Sequence, residues 1–94
     1  MRVPRYTKRF RRDYEKMKHS GKKIRKLDTV MEMLLDGILL PSKYHDHALQ
    51  GQLKSVRDCH IEGDWLLLYE LGIDSDGNEI ITFYATDNHE NLFD

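Results

Sequence analysis

The 94-residue chain is predicted to fold as one α+β domain spanning residues 1–94, with a short N-terminal strand, a basic two-helix hairpin, an antiparallel sheet of about three strands, and a short C-terminal turn or helix. Three observations carry this expectation. The hydrophobic period is helical as far as Asp36, it changes to two from Ser55 onward, and positive charge is concentrated in the first 26 residues. Such a layout places the helices against one face of the sheet.

Val3 to Tyr6 reads as the first strand. Thr7 is a candidate N-cap, and Phe10, Tyr14 and Met17 follow at the spacing of one helix face, with Lys8, Arg9, Arg11, Arg12, Lys16 and Lys18 on the other. Ser20-Gly21 breaks that helix. A second helix, Lys22 to Asp36, aligns Ile24, Leu27, Val30 or Met31, and Leu34, and Gly37 stands where a left-handed C-terminal cap is wanted. After Pro41, the polar segment Ser42 to Gly51 has neither period and reads as a loop. Ser55 to Ile61, Trp65 to Leu71 and Glu79 to Ala85 are strand-like, rich in β-branched and aromatic residues. Gly63 lies in the first turn and Asp74 to Asn78 forms the second. Consecutive Leu66, Leu67 and Leu68 mark the middle run as a central strand buried on both faces. Asp87, three residues before Glu90, offers a cap for a final turn packed through Leu92 and Phe93.

Composition narrows the function classes. Hydrophobic residues at 39% and charged residues at 33% suit a soluble globular domain rather than a disordered one. The longest apolar runs, Ile38 to Pro41 and Trp65 to Leu68, fall far short of the roughly 20 residues a membrane span needs. With no secretory signal at Met1 to Arg5, the expected location is the cytoplasm. Cys59 is the only cysteine, which excludes an internal disulfide and a cysteine-only zinc site. The net charge of -1 conceals an asymmetry: Met1 to Lys26 carries 12 of the 15 Lys and Arg against Asp13 and Glu15, an excess of +10, and the remainder is -11. A basic end of that strength attracts polyanions, although a solvated helix face would look the same.

Four of the five histidines, His45, His47, His60 and His89, lie at or beside the expected strand ends. Histidine donates and accepts protons near neutrality. RNA cleaves itself when a base takes the 2'-hydroxyl proton and an acid protonates the departing 5'-oxygen, and two histidines can fill both roles. A histidine in a loop or strand is nevertheless more often a satisfied polar residue, and with Asp46, Asp64 or Cys59 these rings could ligate zinc instead. Trp65 suits a strand-start core position better than base stacking. Cys59 and His60 are adjacent and point to opposite sheet faces, which argues against a Cys-His nucleophile.

Three ordered blocks go further: Tyr44-His45-Asp46-His47-Ala48-Leu49-Gln50-Gly51, then Arg57-Asp58-Cys59-His60-Ile61-Glu62-Gly63-Asp64-Trp65-Leu66-Leu67-Leu68-Tyr69, then Thr86-Asp87-Asn88-His89-Glu90-Asn91-Leu92-Phe93. Together with the basic hairpin they resemble the YafQ branch of the RelE superfamily of endoribonuclease toxins. The resemblance implies a RelE-like fold and cleavage of mRNA in the ribosomal A site, without metal or other cofactor, with the 2'-hydroxyl as nucleophile. It implies catalytic positions at His47, His60, Asp64 and His89, and supporting aromatics at Trp65 and Phe93. His89 is the expected acid; His47 or His60, oriented by Asp64, is the expected base. The family pattern does not require a histidine at His45. Implied partners are the ribosome, mRNA and a cognate antitoxin, the toxin being a monomer alone and part of a heteromeric complex with the antitoxin. Lys8, Arg9, Arg11, Arg12, Lys16 and Lys18 would meet ribosomal RNA. A non-catalytic or gyrase-targeting relative on the same fold is the alternative, against which the three histidines argue.

One departure stands out. Family members often carry arginine-threonine-glycine before the last histidine, whereas this chain has Ala85-Thr86-Asp87. Asp87 would add unfavourable charge, and Arg57 or Lys54 would have to compensate. Strand alternation puts Arg57 on the face opposite His60 unless a bulge intervenes.

Overall fold

A computed structural model of the chain describes residues 1–51 and 55–93. Lys54, one of the two expected compensating charges, lies outside the described residues. The chain runs β1 (Val3–Tyr6), α1 (Lys8–His19), α2 (Ile24–Leu35), a 3-10 turn (Ser42–Tyr44), β2 (His47–Ala48), β3 (Val56–Glu62), β4 (Trp65–Ile73), β5 (Glu79–Asp87) and α3 (His89–Phe93).

Helix α1 starts where the sequence asks it to. The Thr7 hydroxyl accepts the Phe10 N–H at 2.9 Å, and Phe10 and Met17 are buried on the apolar stripe. Asp13 interrupts that stripe yet is itself buried, because its carboxylate accepts the Thr86 N–H at 3.1 Å and Arg9 Nε at 3.2 Å. Helix α2 is shorter at both ends than expected, since Lys23 provides no side-chain cap. Its C-terminus closes on Gly37, whose φ of 74° lets the Gly37 and Ile38 N–H groups return to the Leu34 and Met33 carbonyls at 3.2 and 3.0 Å.

The sheet has five strands, in the order β1-β5-β4-β3-β2, rather than about three. β1 pairs with β5 in parallel, and the other neighbours are antiparallel. The β1–β5 pairing joins residues 77 apart in sequence and β2 is too short to show a period, so neither pairing leaves a periodic trace. β2 is only two residues long and falls inside the segment expected to be a loop. β4 is central and buried on both faces through Leu66, Leu67 and Leu68, as its composition implies. The larger core lies on the helix side, where Phe10, Met17, Leu27, Val30 and Leu34 meet Cys59, Ile61, Trp65, Leu67, Tyr69, Ile81 and Phe83. The opposite face carries a small cluster of Val56, Leu68 and Ala85, with Leu49, Tyr84 and Leu92 packed on it. That thinly covered face is where polar side chains can meet solvent.

Candidate active site

The period of two along β3 sets Val56, Asp58 and His60 on the face away from the helices, while Arg57, Cys59 and Ile61 point toward them. β2 pairs His47 with Asp58, which puts the His47 ring on the same face. The β3–β4 hairpin turns through Gly63 and Asp64 between the paired Glu62 and Trp65. Gly63 has a φ of 52°, the left-handed conformation that so short a connection demands of its first residue. The turn projects Asp64 toward α3, whose first residue is His89.

Four rings gather there. His60 is central, with ring centroids 5.4 Å from His45, 5.5 Å from His89 and 6.5 Å from His47. His89 donates its backbone N–H to Asp64 Oδ1 at 3.0 Å, and its Nδ1 bonds the same oxygen. These bonds, the ring first, hold the Asp64 carboxyl below its usual range. A carboxylate only accepts, so Nδ1 of His89 carries a proton and Nε2 takes no part in that bond. His47 is fixed in the same way by a carbonyl: its Nδ1 donates to His45 O at 2.6 Å, leaving Nε2 3.6 Å from Asp58 Oδ2.

The expected base-orienting role of Asp64 is therefore corrected, because its carboxylate serves His89 and reaches neither His47 nor His60 by a hydrogen bond. Two participants stand outside the expected catalytic set, Asp58 and the set-aside His45. Asp58 was in plain view two residues before His60, a spacing that shares a strand face. The part His45 plays is a backbone one that its side chain does not signal: it ends the 3-10 turn with φ of 50°, and that uncommon conformation aims its carbonyl at His47.

Phe93 is 44% exposed with its ring 6.0 Å from His89, an accessible aromatic beside the site. Trp65 is only 1% exposed, on the helix side, and its Nε1 donates to the Thr86 hydroxyl at 2.9 Å. It supports the fold and offers no face to a base. Replacing Trp65 by Phe is expected to cost at least about 1 kcal/mol of stability through the lost buried bond, before any packing loss. A thermal melt checks this; a stacking role would instead weaken RNA binding at unchanged melting temperature.

Asp87 does not burden the site with charge. It is buried, accepting Lys16 Nζ at 2.9 Å on one oxygen and the Asn88 N–H and Asn91 Nδ2 on the other at 2.8 and 3.0 Å. Burial raises its carboxyl, but Lys16, Asn91 and Asn88 outweigh that and bring it below the usual range. The cap of α3 is Asn88, whose Oδ1 accepts the Asn91 N–H at 2.8 Å, and not Asp87. Arg57 lies on the helix side, bonded at 3.2 Å to Asp46 Oδ1, which also accepts the Tyr69 hydroxyl at 2.7 Å. The bulge in β3 comes later, between His60 and Glu62, and does not redirect Arg57. Arg57 therefore supplies no compensating charge to the histidines. Cys59 is fully buried there too, and burial pushes its thiol up, away from nucleophilic use.

Of the six basic residues on α1, two are engaged within the fold: Arg9 with Asp13 and the Asn91 carbonyl, Lys16 with Asp87. Lys8, Arg11, Arg12 and Lys18 are exposed, Arg11 lying 5.7 Å from the centre of the Tyr6 ring. Among the described residues no group of three or more His, Cys, Asp or Glu side chains is placed to hold a metal ion.

The protein mRNA interferase toxin YafQ of Escherichia coli K12 is 35% identical over 89 residues, covering 94% of this chain and 91% of that one. Among solved structures, the E. coli DinJ-YafQ complex matches with a TM-score of 0.88 at 33% identity, covering both chains fully. A metal-bound toxin from Helicobacter pylori matches at 0.85 with 31% identity, over 99% of this chain and all of that one. The family model for the bacterial toxin of type II toxin-antitoxin systems, YafQ, matches residues 2–94, and the chain belongs to that family.

Proposed function

We propose that this chain is an mRNA-cleaving toxin that acts on translating ribosomes in the cytoplasm and is neutralised by a cognate antitoxin. The observation that carries the reading is the ring of His89, fixed through Nδ1 by Asp64 and set beside His60 with its other nitrogen free. The name of the E. coli relative and its complex with DinJ support the same reading. In the reaction, Nε2 of His47 takes the 2'-hydroxyl proton and the 2'-oxygen attacks phosphorus. The bond to the 5'-oxygen breaks, and His89, entering as the imidazolium with its Nδ1–H held by Asp64, protonates that oxygen from Nε2. The products are a 2',3'-cyclic phosphate and a 5'-hydroxyl. His60 lies between the two rings, against the phosphate, and Phe93 offers a stacking surface for a base. Each proton transfer is worth about 10² to 10⁴ in rate. Alone the toxin is a monomer; its exposed basic residues on α1 face ribosomal RNA.

Induction of the chain should arrest growth and leave mRNA fragments whose 5' ends keep step with the reading frame. Co-expression of the neighbouring open reading frame should restore growth. Cleavage should persist in EDTA at an ionic composition that keeps ribosomes intact; its loss there would assign the reaction to a bound metal. Growth arrest with mRNA left whole would favour a gyrase-targeting or non-catalytic toxin.

A further inference from the structure

We propose that Asp58 is a positioning residue for His47, stabilising the imidazolium that forms as His47 Nε2 takes the 2'-hydroxyl proton; this rests on the cleavage reading above. Asp58 is 3% exposed, and its Oδ1 is the only buried side-chain nitrogen or oxygen among the described residues without a hydrogen-bond partner. A carboxylate in that state is costly to the fold, so packing alone does not account for it. What faces it is nearly all histidine. His47 stands opposite from β2 with Nε2 3.6 Å from Oδ2, His60 follows two residues on in β3, and His89 approaches from α3. Asp46 is the one acid acting on it, and β4 contributes the apolar Leu68 directly across.

The compensation available to an ionised Asp58 is thus a protonated ring. Burial pushes its carboxyl above the usual range, with the three histidines opposing that. In the resting ring the His45 carbonyl accepts a hydrogen bond from Nδ1–H, which leaves the Nε2 lone pair facing Asp58 at more than hydrogen-bond distance. When Nε2 receives the substrate proton, positive charge appears at the atom nearest the carboxylate. The attraction is stronger in the transition state than before it, which is the condition for accelerating the step.

The test is Asp58→Asn, nearly isosteric, compared with wild type in cleavage on programmed ribosomes and in an NMR titration of the His47 ring. Removing a carboxylate this close should move the His47 titration to lower pH and shift the pH-rate profile the same way. Cleavage should fall roughly tenfold or more at unchanged ribosome affinity. Stability should not fall. A raised carboxyl contributes fully to stability below the ordinary Asp value of about 3.9 and loses that contribution as pH rises through its folded value, so the Asn protein gains on wild type as pH rises. The reciprocal variant, His47→Gln at an exposed ring, should raise the Asp58 titration, and it keeps the proposal falsifiable if Asp58→Asn does not fold. An unmoved His47 titration in Asp58→Asn, an unmoved Asp58 titration in His47→Gln, or wild-type cleavage by Asp58→Asn would overturn the proposal. Wild type that cleaves nothing would overturn the cleavage reading, while the two titrations still decide whether Asp58 acts on His47.

Discussion

His89→Ala is expected to lose about 10² to 10⁴ of the cleavage rate while folding as the wild type does. On the proposed reaction the loss follows from removing the proton donor to the leaving 5'-oxygen, a role given to Nε2 of a ring held through Nδ1. The fold should be indifferent for two reasons. The His89 side chain is 53% exposed, and its partner Asp64 is exposed as well, so the freed carboxylate returns to water rather than standing unpaired in a core. Exposed ion pairs contribute little to stability in any case. Single-turnover cleavage on programmed ribosomes, with a melt alongside, checks both halves. Asp64→Asn should fall between wild type and His89→Ala, because the amide leaves Nε2 in place but removes the negative charge that favours the imidazolium. Undiminished cleavage by folded His89→Ala protein would remove His89 from the reaction.

The contrast between Asp64 and Asp58 marks what the sequence could carry. Strand periodicity placed Asp58 and His60 on one face, and the apolar run of β4 made it the central strand, because both properties are local. Which carboxylate meets which histidine depends on the two-residue strand β2 and on the reach of the Gly63-Asp64 turn toward α3, and neither leaves a periodic pattern. The same holds for Asp87, which in the sequence is an acid two residues before the expected acid His89. Only the packing of α1 against β5 brings Lys16, 71 residues away, onto its carboxylate. Parallel pairing of β1 with β5 is a third case, since a four-residue exposed strand looks alike whether it pairs or not. Arg57 is the converse: alternation already placed it on the face away from His60, and its bond to Asp46 keeps it there.

The second large effect concerns binding rather than chemistry. Lys8, Arg11 and Arg12 are expected to contact RNA phosphates, and replacing all three by Gln should weaken ribosome binding by roughly 10² to 10³ near 0.1 M salt. The estimate takes about 0.9 or somewhat less in log affinity per log salt for each phosphate neutralised, so the salt slope should flatten by about 2 to 3. The choice of residues matters. Arg9 and Lys16 also lie on α1, but they neutralise the buried Asp13 and Asp87, and their loss would confuse a binding defect with an unfolding one. Lys8 differs in the opposite direction. It opens a helix that has no acid in its first turn, where a positive charge opposes the helix dipole. Gln at that position should stabilise α1 by about 0.3 kcal/mol or more. The triple variant should therefore melt close to wild type, the gain at Lys8 offsetting the lost contact of Arg11 with the Tyr6 ring, and a large loss of affinity belongs to the surface. Equal salt slopes for the two proteins would make this face a solubilising one and move the docking surface elsewhere.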